Sequence, residues 1–274
     1  MGSLTTLVSP KESDAIHEMV ASNSVGGTAA AYLRNQRTKL VWQSTTTTPF
    51  ITVDAGAVVN WRALFLGYFN GEDSDEFRLR SASSEVDLTA NPSFDSGMIP
   101  FYPAGSELSM VKYRRPHRLY TFGTSGARWW RVDFQWNSNS DGFVRGSRLI
   151  LGTPITPVHS AEPGWEMIHG ENVVGTEDMD GGESTRPCGA RRRVSFGWQP
   201  GALTKADGAN IKDMLLERGS SHDIVVCVDT SELIYPMDVL YVGRVKEDVS
   251  VKHIPTEYRQ TGFTVTELGI TEMR

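Results

Sequence analysis

At 274 residues the chain is longer than one compact domain usually needs, so two domains are expected; 39% apolar residues suffice for ordinary cores, and 26 glycines and 13 prolines suggest short strands separated by turns. A net charge of −6 and a pI near 5.6 exclude a duplex-DNA binder that works by phosphate neutralisation, and the run Arg191, Arg192 and Arg193 is too short to reverse this. Two cysteines, Cys188 and Cys227, make neither a disulfide framework nor a zinc site, and neither a signal-peptide core nor a membrane-length apolar run is present, so a soluble protein made in a cytoplasm is expected.

Short strands are predicted from Lys39 to Gly152. In the stretch Phe50 to Asp54, Ile51 and Val53 alternate with polar residues, the period of a half-buried strand. Ala63 to Phe69 is apolar on both faces, which predicts a central strand covered from two sides. Phe77 and Leu79 turn inward between outward arginines. Arg128 to Trp136 places Trp130, Val132, Phe134 and Trp136 on one face and Trp129, Arg131, Asp133 and Gln135 on the other. Phe143 to Leu151 closes the set.

From Thr153 to Gly189 the pattern dissolves into Pro, Gly, Glu and Asp, which predicts a linker or long loop. Beyond it, Val194, Phe196 and Trp198 alternate inward. Leu203 to Arg218 has helical spacing: Thr204 caps with Asp207, Ile211, Met214 and Leu215 form the buried stripe, and Gly219 ends it. Strands resume at Asp223 to Asp229, Val239 to Lys246 and Gln260 to Leu268. The expected organisation is a sandwich at 1–153, a linker at 154–189 and a sheet with one helix at 190–274.

Candidate chemistry is sparse. Ser221, His222 and Asp223 are contiguous, but neighbours in an extended chain face opposite ways, whereas a triad is assembled from separated positions. Cys227 lies in an apolar run and reads as a small buried hydrophobe. No HExxH, P-loop or nucleophile elbow occurs, and the six histidines are scattered, so no enzyme, metal or cofactor is expected. Asp178, Asp180 and Glu183 in the acidic stretch 177–183 have carboxylates suited to calcium, yet not at EF-hand spacing, and a solvated linker is the simpler reading. The segment Tyr113 to Arg118 gathers planar and cationic groups. Tyr113, Arg115 and His117, with Trp129 on the outward strand face, are the predicted contacts to an anionic glycan, by stacking and bidentate pairing. The competing reading is a basic loop that pairs with a neighbouring subunit.

Four motifs then carry a family resemblance. Trp42-Gln43-Ser44, the run Ile51 to Gly56, Arg128 to Val132, and Asp141-Gly142-Phe143 leading to Gly146 through Leu149 together resemble the discoidin, or galactose-binding-like, jelly roll. This unit is followed by Arg192-Arg193-Val194, Tyr241 through Val245 and Phe263 through Glu267, and the pairing looks like minor tail proteins of long-tailed bacteriophages. The second unit is similar to the tail-tube and distal-tail fold, a β-sandwich with one flanking helix. The resemblance implies a mainly β virion component of the tail tip or baseplate. It implies a ring of copies, contacts with tube, hub and tape-measure proteins, a discoidin-like domain projecting outward to a host-surface glycan, and no enzymatic activity. The alternatives are a freestanding carbohydrate-binding adhesin or an accessory module of a polysaccharide hydrolase.

Overall fold

A computed structural model describes residues 5–37, 39–72, 74–103, 106, 117–123, 126–137, 139–161, 165–177, 183–199, 202–218, 222–232, 236–245, 252–253 and 258–267. The chain is mainly β. Its N-terminal part is a sandwich of two facing antiparallel sheets. One runs Glu18–Ala21, Phe50–Val59, Ala127–Gln135, Glu76–Ala82 and Phe94–Asp95, with Ile99–Pro100 also on Glu76–Ala82; the other runs Arg148–Gly152, Ala63–Gly67 and His117–Thr121. Strand alternation explains the core between them: Ile51, Val53, Phe77, Leu79, Trp130, Val132 and Phe134 meet Leu64, Leu66, Leu149 and Leu151. The inward phase expected for Trp130, Val132, Phe134 and Trp136 is what the structure shows.

The C-terminal part is a seven-stranded sheet in the order Pro154–Ile155, Thr6–Val8, Ile224–Cys227, Leu240–Val245, Gly262–Glu267, Glu183–Gly197 and Glu166–Glu177. The helix Lys205–Arg218 packs Ile211 and Met214 into this sheet's own core with Val194, Phe196, Val226 and Val265. Its first turn is fixed by the expected capping box. The Asp207 N–H donates to Thr204 Oγ1 at 3.1 Å, and the Thr204 N–H and hydroxyl donate to Asp207 Oδ2 at 3.3 and 2.7 Å.

A third core joins the two parts. Val8, Val225, Cys227 and Val242 on the seven-stranded sheet meet Ala63, Phe65 and Ile150 on the back of the three-stranded sheet. The strand Ala63–Gly67 is therefore covered from both sides, as its apolar run predicts.

Two expectations need correction. The stretch expected as a linker at 154–189 contains the strands Pro154–Ile155 and Glu166–Glu177 and part of Glu183–Gly197, with Glu166 opposite Ser195 and Glu177 opposite Glu183. Composition pointed the other way because a ladder is held by backbone hydrogen bonds, which Gly-rich and charged sequence can form without an apolar face. The sandwich also does not begin at the N-terminus, since Thr6–Val8 pairs with Ile224–Cys227 and with Pro154–Ile155. The acidic positions 178–182 lie outside the described residues. Among the described residues no group of three or more metal-ligating side chains occurs, and no helix is long and apolar enough to cross a membrane.

Candidate functional site

Of the four predicted glycan contacts, Tyr113 and Arg115 lie outside the described residues. His117 is not an exposed loop residue: it begins the strand His117–Thr121 and is 2% exposed, because its side chain turns toward the seven-stranded sheet. Trp129 is half-buried on the outer face of the opposite sheet, with the Arg128 guanidinium 5.6 Å from its ring. Arg128 is held there by two hydrogen bonds to Asp54, at 2.7 and 2.8 Å. Its hydrogen bonds outweigh the upward push of burial and hold the Asp54 carboxyl down at about 2. His117 and Trp129 thus belong to different sheets facing opposite ways, and the structure does not bring them into one site.

His117 instead takes part in a buried ion cluster between the two parts. Its Nδ1 accepts the Tyr68 N–H at 3.2 Å, so Nε2 carries the proton and donates to Glu267 at 3.2 Å. Burial pushes the imidazole below its ordinary value, against the pull of Glu267, and the ring is neutral near pH 7. Burial also opposes ionisation of Glu267. Hydrogen bonds from Arg192, at 2.7 and 2.5 Å, and from His117 win, and the carboxyl is held at about 2. Tyr68 sits at φ 59°, a conformation rare outside glycine, and its ring meets His117 edge-on with centroids 4.4 Å apart. A second buried cluster pairs Arg148 with Asp223 at 3.0 Å and with Asp14 at 2.8 Å. Asp223, from the contiguous Ser-His-Asp, is thereby a structural ion-pair partner. Cys227 is buried and its thiol is pushed up to about 12, which leaves it protonated and unreactive at neutral pH.

These clusters lock the interface and leave an open cleft beside it, with a volume of about 820 Å³. One wall is the helix Lys205–Arg218, which presents Asn210 and Asp213 on its exposed side while Ile211 and Met214 face the core. The facing wall is the end of the sandwich, where Arg62 precedes the strand Ala63–Gly67, Thr121 ends the strand His117–Thr121 and Phe122 follows it. Phe122 is held by stacking on Phe94 and Tyr120, with centroids 5.2 and 5.8 Å away. Lys11 bridges the walls through an ion pair to Glu217 at 2.5 Å. Carboxylate, amide, hydroxyl and guanidinium groups around one fixed aromatic ring can exchange hydrogen bonds with a hydroxyl-rich ligand and pack its apolar face. None of these residues stands in a recognisable motif. The exposed amide and carboxylate at Asn210 and Asp213, three apart on one helix, were the only local signal, and it is a common one.

No family model matches the sequence, and no curated protein matches it. Among solved structures, 83 chains match. The family 32 carbohydrate-binding module of Clostridium perfringens NanJ in complex with galactose is 11% identical, matching 53% of this chain and 98% of its own, with a TM-score of 0.39. The module CpGH89CBM32-5 of the same organism, in complex with GalNAc-β-1,3-galactose, is also 11% identical, over 53% and 99%, with a TM-score of 0.37. The corresponding module of AlyQ, in complex with 4,5-unsaturated mannuronic acid, is 20% identical over 50% and 94%, with a TM-score of 0.38.

Proposed function

We propose that the chain is a non-catalytic carbohydrate-binding protein in which the cleft between sandwich and helix receives a saccharide. The observation that carries this reading is the cleft itself, with Asn210, Asp213 and Arg62 set around the fixed ring of Phe122. Carboxylate and amide oxygens accept sugar hydroxyls, and the ring supports the C–H face of a pyranose. The four carboxylates and two cations lining the cleft favour a neutral sugar over an anionic one. Screening the intact chain against immobilised glycans, followed by titration calorimetry, tests the reading. Asp213→Ala and Phe122→Ala should each weaken binding at least about tenfold, the usual loss for one well-placed contact. Absence of any saturable neutral glycan, or binding indifferent to both changes, would reject it.

A second reading, of assembly, rests on the long hairpin. Among the described residues the strand Glu183–Gly197 pairs with Gly262–Glu267 from Arg193 to Gly197, whereas its pairing with Glu166–Glu177 continues to the Glu177–Glu183 pair. We infer that this arm reaches a neighbouring copy, so that the chain forms a ring at the tail tip or baseplate of a long-tailed phage and carries its sandwich outward to host glycan. Tube, hub and tape-measure proteins would be its neighbours, and the virion its final location. Light scattering of the intact chain should show a closed oligomer; a strictly monomeric chain at high concentration would favour the freestanding adhesin.

A further inference from the structure

A second cavity, of about 410 Å³, lies on another side of the interface and differs in charge from the glycan cleft. It is lined by Arg34, the last residue of the 3-10 turn Ala30–Arg34, by Arg37 just beyond it, and by His222 and Arg244 from the C-terminal part. Its one carboxylate among the described lining residues, Asp14, is turned to Arg148 at 2.8 Å, a guanidinium that it shares with Asp223, so Asp14 offsets part of the positive charge without cancelling it. Arg34 donates to the Asp14 carbonyl at 2.7 Å, a contact that fixes its position without cancelling its charge. Arg244 Nη2 reaches only the Gln36 side-chain oxygen, at 3.4 Å, and its buried Nε has no acceptor among the described residues. The Arg37 side chain is exposed at the rim. Three guanidinium groups thus share one concavity with a single carboxylate, Asp14, among the described lining residues, an excess of positive charge on a chain of net charge −6.

Like charges gathered in a partly desolvated concavity repel one another, and an oxyanion that accepts two forked hydrogen bonds at once relieves both the repulsion and the unmet donors. We propose that this cavity is a binding site for an oxyanion, a phosphate or the carboxylate of an acidic sugar, gripped by Arg34, Arg37 and Arg244. It is separate from the neutral-glycan cleft and does not depend on it.

Calorimetric titration of the intact chain with inorganic phosphate at fixed ionic strength, and in parallel with sodium glucuronate, tests the site and distinguishes the two sources. Saturable binding of one per chain is expected for at least one of them. Arg37→Gln, at an exposed position, should weaken it about tenfold or more, and Arg244→Gln likewise. Asp213→Asn in the other cleft should leave it unchanged. If neither anion binds saturably, or if binding survives Arg37→Gln, the proposal is wrong. Should Arg244→Gln fail to fold, Arg37→Gln alone decides. Loss of oxyanion binding in Asp213→Asn to the same extent as in Arg37→Gln would place the site elsewhere and equally overturn it.

Discussion

Trp129 and Trp130 are adjacent in sequence and point to opposite faces of one strand, so their chemical similarity hides different roles. Trp130 is fully buried, with Trp61 at 5.4 Å and Phe122 at 5.7 Å between ring centroids. Trp130→Ala should cost on the order of 3–5 kcal/mol and Trp129→Ala about 1 kcal/mol, measured by denaturant unfolding. An equal or larger loss at Trp129 would contradict the strand phase. Glu267 makes a different kind of contribution. Its carboxyl is held near 2, below the usual carboxylate range, so the folded state prefers it ionised. The stabilisation is present above the unfolded value and is lost as pH falls from about 4.5 toward 2. His117 acts in the same direction at higher pH, because its depressed value makes protonation below about 6.5 unfavourable to the fold. Glu267→Gln should remove the lower part of the acid-unfolding profile. It should also cost about 3–5 kcal/mol at neutral pH, because the buried Arg192 guanidinium would lose its counter-charge. A variant whose stability falls with acid as steeply as the parent's would show that the cluster does not set acid stability.

At the scale of elements, the least legible part of the sequence was the hairpin. The strands of the sandwich announce themselves because one face of each must be apolar; among the described residues the hairpin's outer part pairs only with itself, and its sequence is rich in Gly, Glu and Asp. The stretch from Glu171 to Glu177 would extend about 20 Å at the usual rise per residue. Two strands alone are marginally stable in water, which is the physical reason to expect a partner surface for them. Joining Val173 to Pro187 through a two-residue Asn-Gly turn keeps the inner ladder and removes the outer one. The shortened chain should unfold within about 1 kcal/mol of the parent, since no residue of the described cores is removed, and light scattering should find it without the closed oligomer expected of the intact chain. Normal assembly of the shortened chain would exclude the arm as the contact. The helix, by contrast, was readable because capping and amphipathicity are local, and both the Thr204–Asp207 box and the buried Ile211 and Met214 were found as expected.

At the scale of the whole molecule, long-range topology is what periodicity cannot report. The patterns of Phe50–Val59 and Ala127–Gln135 give each strand's inward face but not its partner, and nothing local marks Thr6–Val8 as belonging to a sheet completed more than two hundred residues later. The same limit explains the candidate sites: the cleft and the cationic cavity draw residues from both ends of the chain, so neither produces a motif. Because Thr6–Val8 pairs with Pro154–Ile155 on one side and Ile224–Cys227 on the other, the sandwich is carried as an insertion between neighbouring strands of the C-terminal sheet. This has a consequence that two domains on a linker would not have. Removing residues 1–9 deletes nothing from the sandwich core, but strips Leu7 from the C-terminal core and Val8 from the joining core. The loss of two fully buried aliphatic side chains is worth roughly 3–6 kcal/mol, before the unmet backbone groups of Ile224–Cys227 are counted. Hydrogen exchange should then quicken sharply in Ile224–Cys227 and Leu240–Val245 while Ala127–Gln135 stays protected. If the truncation instead loosened Ala127–Gln135 first, or left Ile224–Cys227 as protected as before, the first strand would not be what closes the second sheet.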